Sequence, residues 1–310
     1  MQARHWMCLT VIVATLGLVG FGGKSRPAMK MFAPVKIEYV DEPLGMMQTP
    51  GGASRVPNSQ LMISGHHSEA ASFFNNALLG GAVGAIIDGA QIHGEARRLL
   101  GDNPEATLHF QLNDRAREIT RARLAQMPPG TVNTFADDGA ARLQVWVSVV
   151  LNFTHDNAYA RPYIWLKAGL IPEGINHATW QTNYFASWGP ARPMQGDGGW
   201  MAKEGAELRR TVDIALEEAI HVMLTDVSQP FSRDASTTRI IKMDYPYERE
   251  AMNSKVYRLG EDEKFVYFMP KVGDAWGKAG VHAVDKYMLE YYTGTGRFAP
   301  KTTEPTGRSD

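Results

Sequence analysis

The stretch ARLQVWVSVVLNF, residues 141–153, sets Leu143, Val145, Val147, Val149 and Leu151 at every second position. Strand side chains alternate between faces, so these five point one way while Gln144, Trp146, Ser148 and Asn152 point the other. Such a strand needs neighbours for its backbone and a cover for its apolar face. Both can be found nearby. PYIWLKAGLI, residues 162–171, puts Ile164, Leu166, Ala168 and Leu170 on one face, PEGINH is a turn, and ATWQTNYFAS, residues 178–187, returns as a third strand. The three read as an antiparallel meander with one face to be covered.

The cover is predicted to be a helix over residues 204–227, where Leu208, Val212, Ala215, Ala219 and Val222 recur at intervals of three and four. The fold class expected is therefore α+β, an antiparallel sheet with helices packed on one face. Leu143, Val145, Val147, Val149, Ile164, Leu166, Leu170, Leu208, Val212 and Val222 should share one core.

Upstream, PVKIEYVDEP (34–43) alternates as a short strand, with Val35, Ile37 and Tyr39 on one face. A loop rich in Gly, Pro, Ser and Gln follows over 46–60. A long helical segment over 68–100 closes at Gly101-Asp102-Asn103-Pro104. A second helix is expected over 105–126, with Leu108, Leu112, Ile119 and Leu124 on its apolar side, ended by Pro128-Pro129-Gly130. These elements make a main domain over 33–228. Beyond Pro230, RIIKM, SKVYRL and KFVYFMP read as a small β-rich C-terminal extension (231–293) packed on the main domain, and the polar tail 294–310 as disordered.

The first 25 residues hold Arg4, then an apolar run from Trp6 to Phe21, then small residues. This is the three-part layout of an export signal or anchor. The run is about 16 residues, short of the roughly 20 that span a bilayer, which favours cleavage or weak anchoring. Cys8 is the only cysteine and lies inside this run, so a processed chain has no disulfide and no thiol chemistry. The expected location is the periplasm, or the membrane facing it.

A chain of 310 residues with 44% hydrophobic and 21% charged residues is of ordinary globular composition, and a net charge of −1 gives no general attraction to nucleic acid or anionic lipid. Partners must be recognised by shape and local chemistry.

Residues 78–91, LLGGAVGAIIDGAQ, combine four glycines with apolar residues. A phosphate loop would need Lys and Ser/Thr where Ala90 and Gln91 stand, and the spacing does not fit a dinucleotide fingerprint. The apolar run 77–87 is too short to span a membrane. Gly81, Ala85 and Gly89 recur every four residues, with Gly80 and Gly84 on the adjacent row. One side of a helix would then be flat enough for another backbone to approach closely. The partner is another helix of this fold, a sister subunit or another protein; the remaining alternative is a glycine loop without a helix.

The reactive side chains form no recognisable motif. Glu217 and His221 stand one helical turn apart, but two ligands do not make a metal site and H-E-x-x-H is absent. Adjacent His66 and His67 would point opposite ways in an extended segment. Asp137-Asp138 suits a turn. No cofactor, metal or catalytic residue is expected. The alternative is a periplasmic hydrolase or metal-dependent enzyme assembled from scattered loops, with His66, His155, Asp156 and His177 among its residues.

The aromatics are the remaining signal. Trp146, Tyr163 and Trp165 should face away from the helix side, with Trp180, Tyr184 and Trp188 following them. Either a second layer covers them, the C-terminal extension being the expected one, or they form a binding surface. The candidate binding residues are therefore Gly81, Gly84, Ala85, Gly89, Trp146, Tyr163 and Trp165.

The order of helix, long alternating strand, partner strand containing a tryptophan (HATWQTNY, Trp180) and an amphipathic helix beginning ELRRTVDIALEEAIHVML resembles the periplasmic α/β domains of bacterial envelope lipoproteins. Those domains include relatives of the curli-secretion channel subunit and the amino-terminal domain of the Tol-system propeller protein. The resemblance covers residues 105–227 and rests on pattern. It implies a binding or assembly component and carries over no catalytic residue. The lipid-attachment cysteine of those proteins has no counterpart at the end of the apolar run, so lipid anchoring is not implied. The expected partners are other envelope proteins, with self-association as a further use.

Overall fold

The computed structural model describes residues 34–41, 54–56, 59–64, 98, 100, 110–128, 134–154, 158–232, 235–243, 252–270 and 280–291. The export segment 1–25, the glycine stretch 78–91 and the tail 294–310 lie outside the described residues.

The meander forms as its alternation requires. Strand β4 (Ala141–Phe153) pairs antiparallel with β5 (Ala160–Ile171), and β5 pairs antiparallel with β6 (Trp180–Ser187). Val147 stands opposite Leu166, and Leu166 opposite Tyr184, so directly paired residues share a face. On that face lies helix α2 (Ala202–Ser228), packed against β5 and β6. All ten residues expected to share a core belong to a single buried cluster.

Helix α2 departs from regular geometry near its start. Lys203, Glu204 and Gly205 all have left-handed φ values of 51°, 58° and 75°, and the backbone then continues as ordinary helix. Glycine takes this region freely, whereas the two residues before it carry strain. Helix α1 (Leu112–Leu124) packs on α2 beside β4 and on β1 (Val35–Tyr39), burying Leu112, Ala116 and Ile119. Its first residue is later than residue 105, the start expected from sequence. Gln111 before it is left-handed (φ 48°) and makes no side-chain cap. The cap comes from elsewhere: Gln60 Oε1 accepts the Leu112 N–H at 3.1 Å, while Gln60 Nε2 donates to Asn113 Oδ1 at 3.0 Å. An orphan donor of the first turn is thus satisfied from across the fold. Tyr39 and Thr120 join hydroxyls in the same interface, where burial pushes the Tyr39 hydroxyl up to about 12.

One expectation needs correction. The sheet is mixed and not purely antiparallel: β1 and β3 (Leu61–Ser64) both run parallel to β4 along its edge away from β5. A hairpin forces antiparallel pairing, but a strand arriving over a long connection is free to take either direction, and periodicity does not encode which.

The C-terminal strands are hydrogen-bonded into this same sheet. They are β7 (Thr238–Met243), β8 (Met252–Glu261), β9 (Phe265–Pro270), β10 (Gly280–Asp285) and β11 (Leu289–Tyr291). Strand β10 pairs parallel with β6, Val281 opposite Tyr184, and the others follow outward. The described strands form one sheet of eleven in the order β11-β7-β8-β9-β10-β6-β5-β4-β3-β2, where β2 is Ser54–Arg55 and β1 pairs on β4.

Candidate functional site

The face of the sheet turned away from α1 and α2 is built by the second half of each strand's alternation. From β5 come Tyr163 and Trp165, from β6 Phe185, from β10 His282 and from β9 Phe268. Cross-strand pairing brings them into one band, because Trp165 stands opposite Phe185, Phe185 opposite His282 and His282 opposite Phe268. Trp165 and Phe185 stack with centroids 6.2 Å apart, and the His282 ring lies 4.6 Å from Phe185 and 5.3 Å from Phe268. Aromatic pairs at such distances add to the stability that burial alone provides. The Trp165 indole N–H donates to Asn183 Oδ1 at 2.9 Å.

The band is buried. Tyr163 is 1% exposed and Trp165 2%, and burial drives the Tyr163 hydroxyl far above the usual tyrosine range. These two residues therefore belong to a core, as the covered alternative held. The C-terminal strands continue the same sheet, and Ile241 of β7, Val256 of β8 and Val266 and Phe268 of β9 belong to the same buried cluster as Tyr163 and Trp165.

Trp146 differs. It is partly exposed at the margin of the band, opposite Lys167, whose ammonium lies 5.2 Å from the centre of the indole. Burial lowers the Lys167 ammonium below the usual lysine value. A cation held over an indole forms a preorganised patch with an apolar plane and one positive charge.

Trp180, Tyr184 and Trp188 are corrected to the helix side. Tyr184 pairs with Leu166 and lies in the core under α2, Trp180 lies in the same core, and Trp188 packs against it. Pairing decides parity here: β6 enters the sheet so that Phe185, and not its aromatic neighbour Tyr184, joins the aromatic band.

Of the residues named for a scattered-loop enzyme, only His177 is among the described residues. His177 lies in the exposed β5–β6 turn, beside Asn176. His66, His155, Asp156, Gly81, Gly84, Ala85 and Gly89 lie outside the described residues. Glu217 is paired with Arg123 of α1 at 2.8 Å, and Asp137-Asp138 sits in an exposed turn. Among the described residues no group of three or more ligand side chains could hold a metal ion.

Sequence reasoning missed Lys167, Phe185 and His282 as members of this face. Their parity within each strand was legible, but their adjacency depends on the register of β5, β6 and β10. No family model matches the chain, and no curated protein matches it.

Proposed function

We propose that the protein is an exported component of a bacterial cell envelope that acts by binding and assembling with other proteins, and not by catalysis. The observation that carries this reading is the Trp146–Lys167 patch, an indole partly open to solvent with a cation 5.2 Å from its centre. Surface tryptophans anchor protein contacts because a rigid ring buries much area at little entropic cost. The basic-then-apolar start of the chain supports export, and the resemblance to envelope lipoprotein domains supports an assembly role. Contacts along Gly81, Ala85 and Gly89, read from their spacing, belong to the same proposal, with self-association as one form of it.

Two measurements test the proposal. Residues 1–40 fused to a reporter active only outside the cytoplasm should give activity, and an inactive fusion removes the export claim. Affinity capture from membranes should recover a protein partner with the unaltered chain and much less of it with Trp146→Ala at unchanged melting temperature. Equal recovery by both rules out this patch as the contact.

A further inference from the structure

A cleft of about 350 Å³ opens between the first turns of α1 and the start of α2. Its base is apolar: Leu112 and Val212 are buried, and Phe110 packs against the same core. Its rim is charged, with Arg115 and Glu118 on α1 and Arg209 and Asp213 on α2. The volume lies at the small end of the range for ligand sites, and such sites combine an apolar lining with a few placed polar groups. The base belongs to the helix-side core, whereas Trp146 and Lys167 stand on the opposite face of the sheet, so the cleft is separate from that patch.

Charge on the rim is unevenly matched. Arg115 contacts Glu118 Oε2 at 3.0 Å and Asp213 Oδ1 at 3.4 Å, so one guanidinium serves two carboxylates and a negative charge is left over. Asp114, the third acid of the lining, is matched by Arg117 at 2.7 Å. Arg209 forms no ion pair among the described residues; its Nη1 donates to the Glu204 carbonyl at 2.6 Å, which leaves Nε and Nη2 for another acceptor. A surplus carboxylate at Asp213 and a surplus guanidinium at Arg209 thus stand one helical turn apart, above an apolar base.

Backbone strain converges on the same place. Gln111 (φ 48°) lines the cleft, and Glu204 (φ 58°) supplies the carbonyl that Arg209 holds. Left-handed conformations at non-glycine residues persist where the surroundings enforce them, and they gather at ligand clamps.

We propose that this cleft binds a free apolar α-amino acid. Its carboxylate accepts from Nε and Nη2 of Arg209, its ammonium donates to Asp213 Oδ2, and its side chain rests on Phe110, Leu112 and Val212. A guanidinium only donates and a carboxylate only accepts, so the ligand has to present an acceptor and a donor close together, as the two groups on an α-carbon do. An analogue with one of them blocked leaves one side of the cleft unmatched.

Isothermal titration calorimetry on the full chain tests this with L-leucine and L-phenylalanine as probes. Both should bind saturably with dissociation constants below about 1 mM. N-acetyl-L-leucine lacks the ammonium and L-leucinamide the carboxylate, and each should bind at least about tenfold more weakly than L-leucine. These comparisons use the unaltered chain and need no variant to fold. Arg209→Gln and Asp213→Asn, at unchanged melting temperature, should each weaken L-leucine binding by at least about tenfold. Trp146→Ala should bind L-leucine as the parent does, which keeps this test apart from that of the protein-binding patch. No saturable binding of either amino acid up to about 10 mM, equal binding of the blocked forms, or L-leucine binding that survives both cleft variants overturns the proposal.

Discussion

Gly280 lies so close to Asn183 that a Cβ built on it would stand 2.0 Å from the Asn183 carbonyl oxygen, with φ at +147°. This approach is the point where β10 joins β6, and through it the C-terminal strands join the meander. Gly280→Ala has to move the backbone or break the pair. We expect a loss of at least about 2 kcal/mol from backbone strain, before any lost pairing. Urea denaturation measures it, and limited proteolysis should show strands β7 to β11 released first. A variant as stable as the parent would mean that the strand pairing tolerates a shift here.

Val147 sits at the centre of the shared core, buried beneath the helices. Val147→Asp places a carboxylate in this apolar cluster, and we expect a loss of several kcal/mol. Thermal melting reads the change. A melting temperature within a degree or two of the parent would contradict the assigned face of β4.

Trp200 is fully buried, and its indole N–H donates to the Ala160 carbonyl at 2.7 Å, with the Arg192 guanidinium 5.2 Å from its ring. This bond ties the loop before α2 to the start of β5. Trp200→Phe keeps most of the apolar surface and removes one of the two donors to the Ala160 carbonyl, which retains the Arg192 N–H at 3.0 Å, so about 0.5 to 1.5 kcal/mol should be lost. Chemical denaturation provides the number. No measurable loss would indicate that the Arg192 N–H alone satisfies the carbonyl.

His221 and Glu218, both on α2, should tilt stability in opposite directions with pH. Burial, helped by Arg123, lowers the His221 imidazole, so the unfolded chain takes up its proton first on acidification. Its stabilising contribution is present above the ordinary histidine value and is lost as pH falls through the lowered folded one. Glu218 is raised to about 7, so the folded chain keeps that proton longer. Stability from this group is present below the ordinary carboxyl value and declines as pH rises towards 7. His221→Gln should therefore gain stability relative to the parent at pH 5 and not at pH 7.5, and Glu218→Gln should gain at pH 7.5 and not at pH 4. Parallel stability curves for parent and variant would remove the corresponding shift.

The sequence by itself determined the faces of β4, β5 and α2 and the membership of the core they enclose. Side-chain direction follows a period of two in a strand and 3.6 in a helix, both written in neighbouring residues. It also located β1 and β6 to within a few residues. Only the tertiary structure decided that β1 and β3 run parallel to β4, that β7 to β11 extend the same sheet, and that Tyr184 turns inward while Phe185 joins Trp165. Each of these depends on which distant strand supplies the neighbouring backbone and in what register. The same is true of Glu218. In sequence it is one acid among several on a charged helix, and it becomes a buried carboxyl pushed up to about 7 only because the fold packs other elements over it.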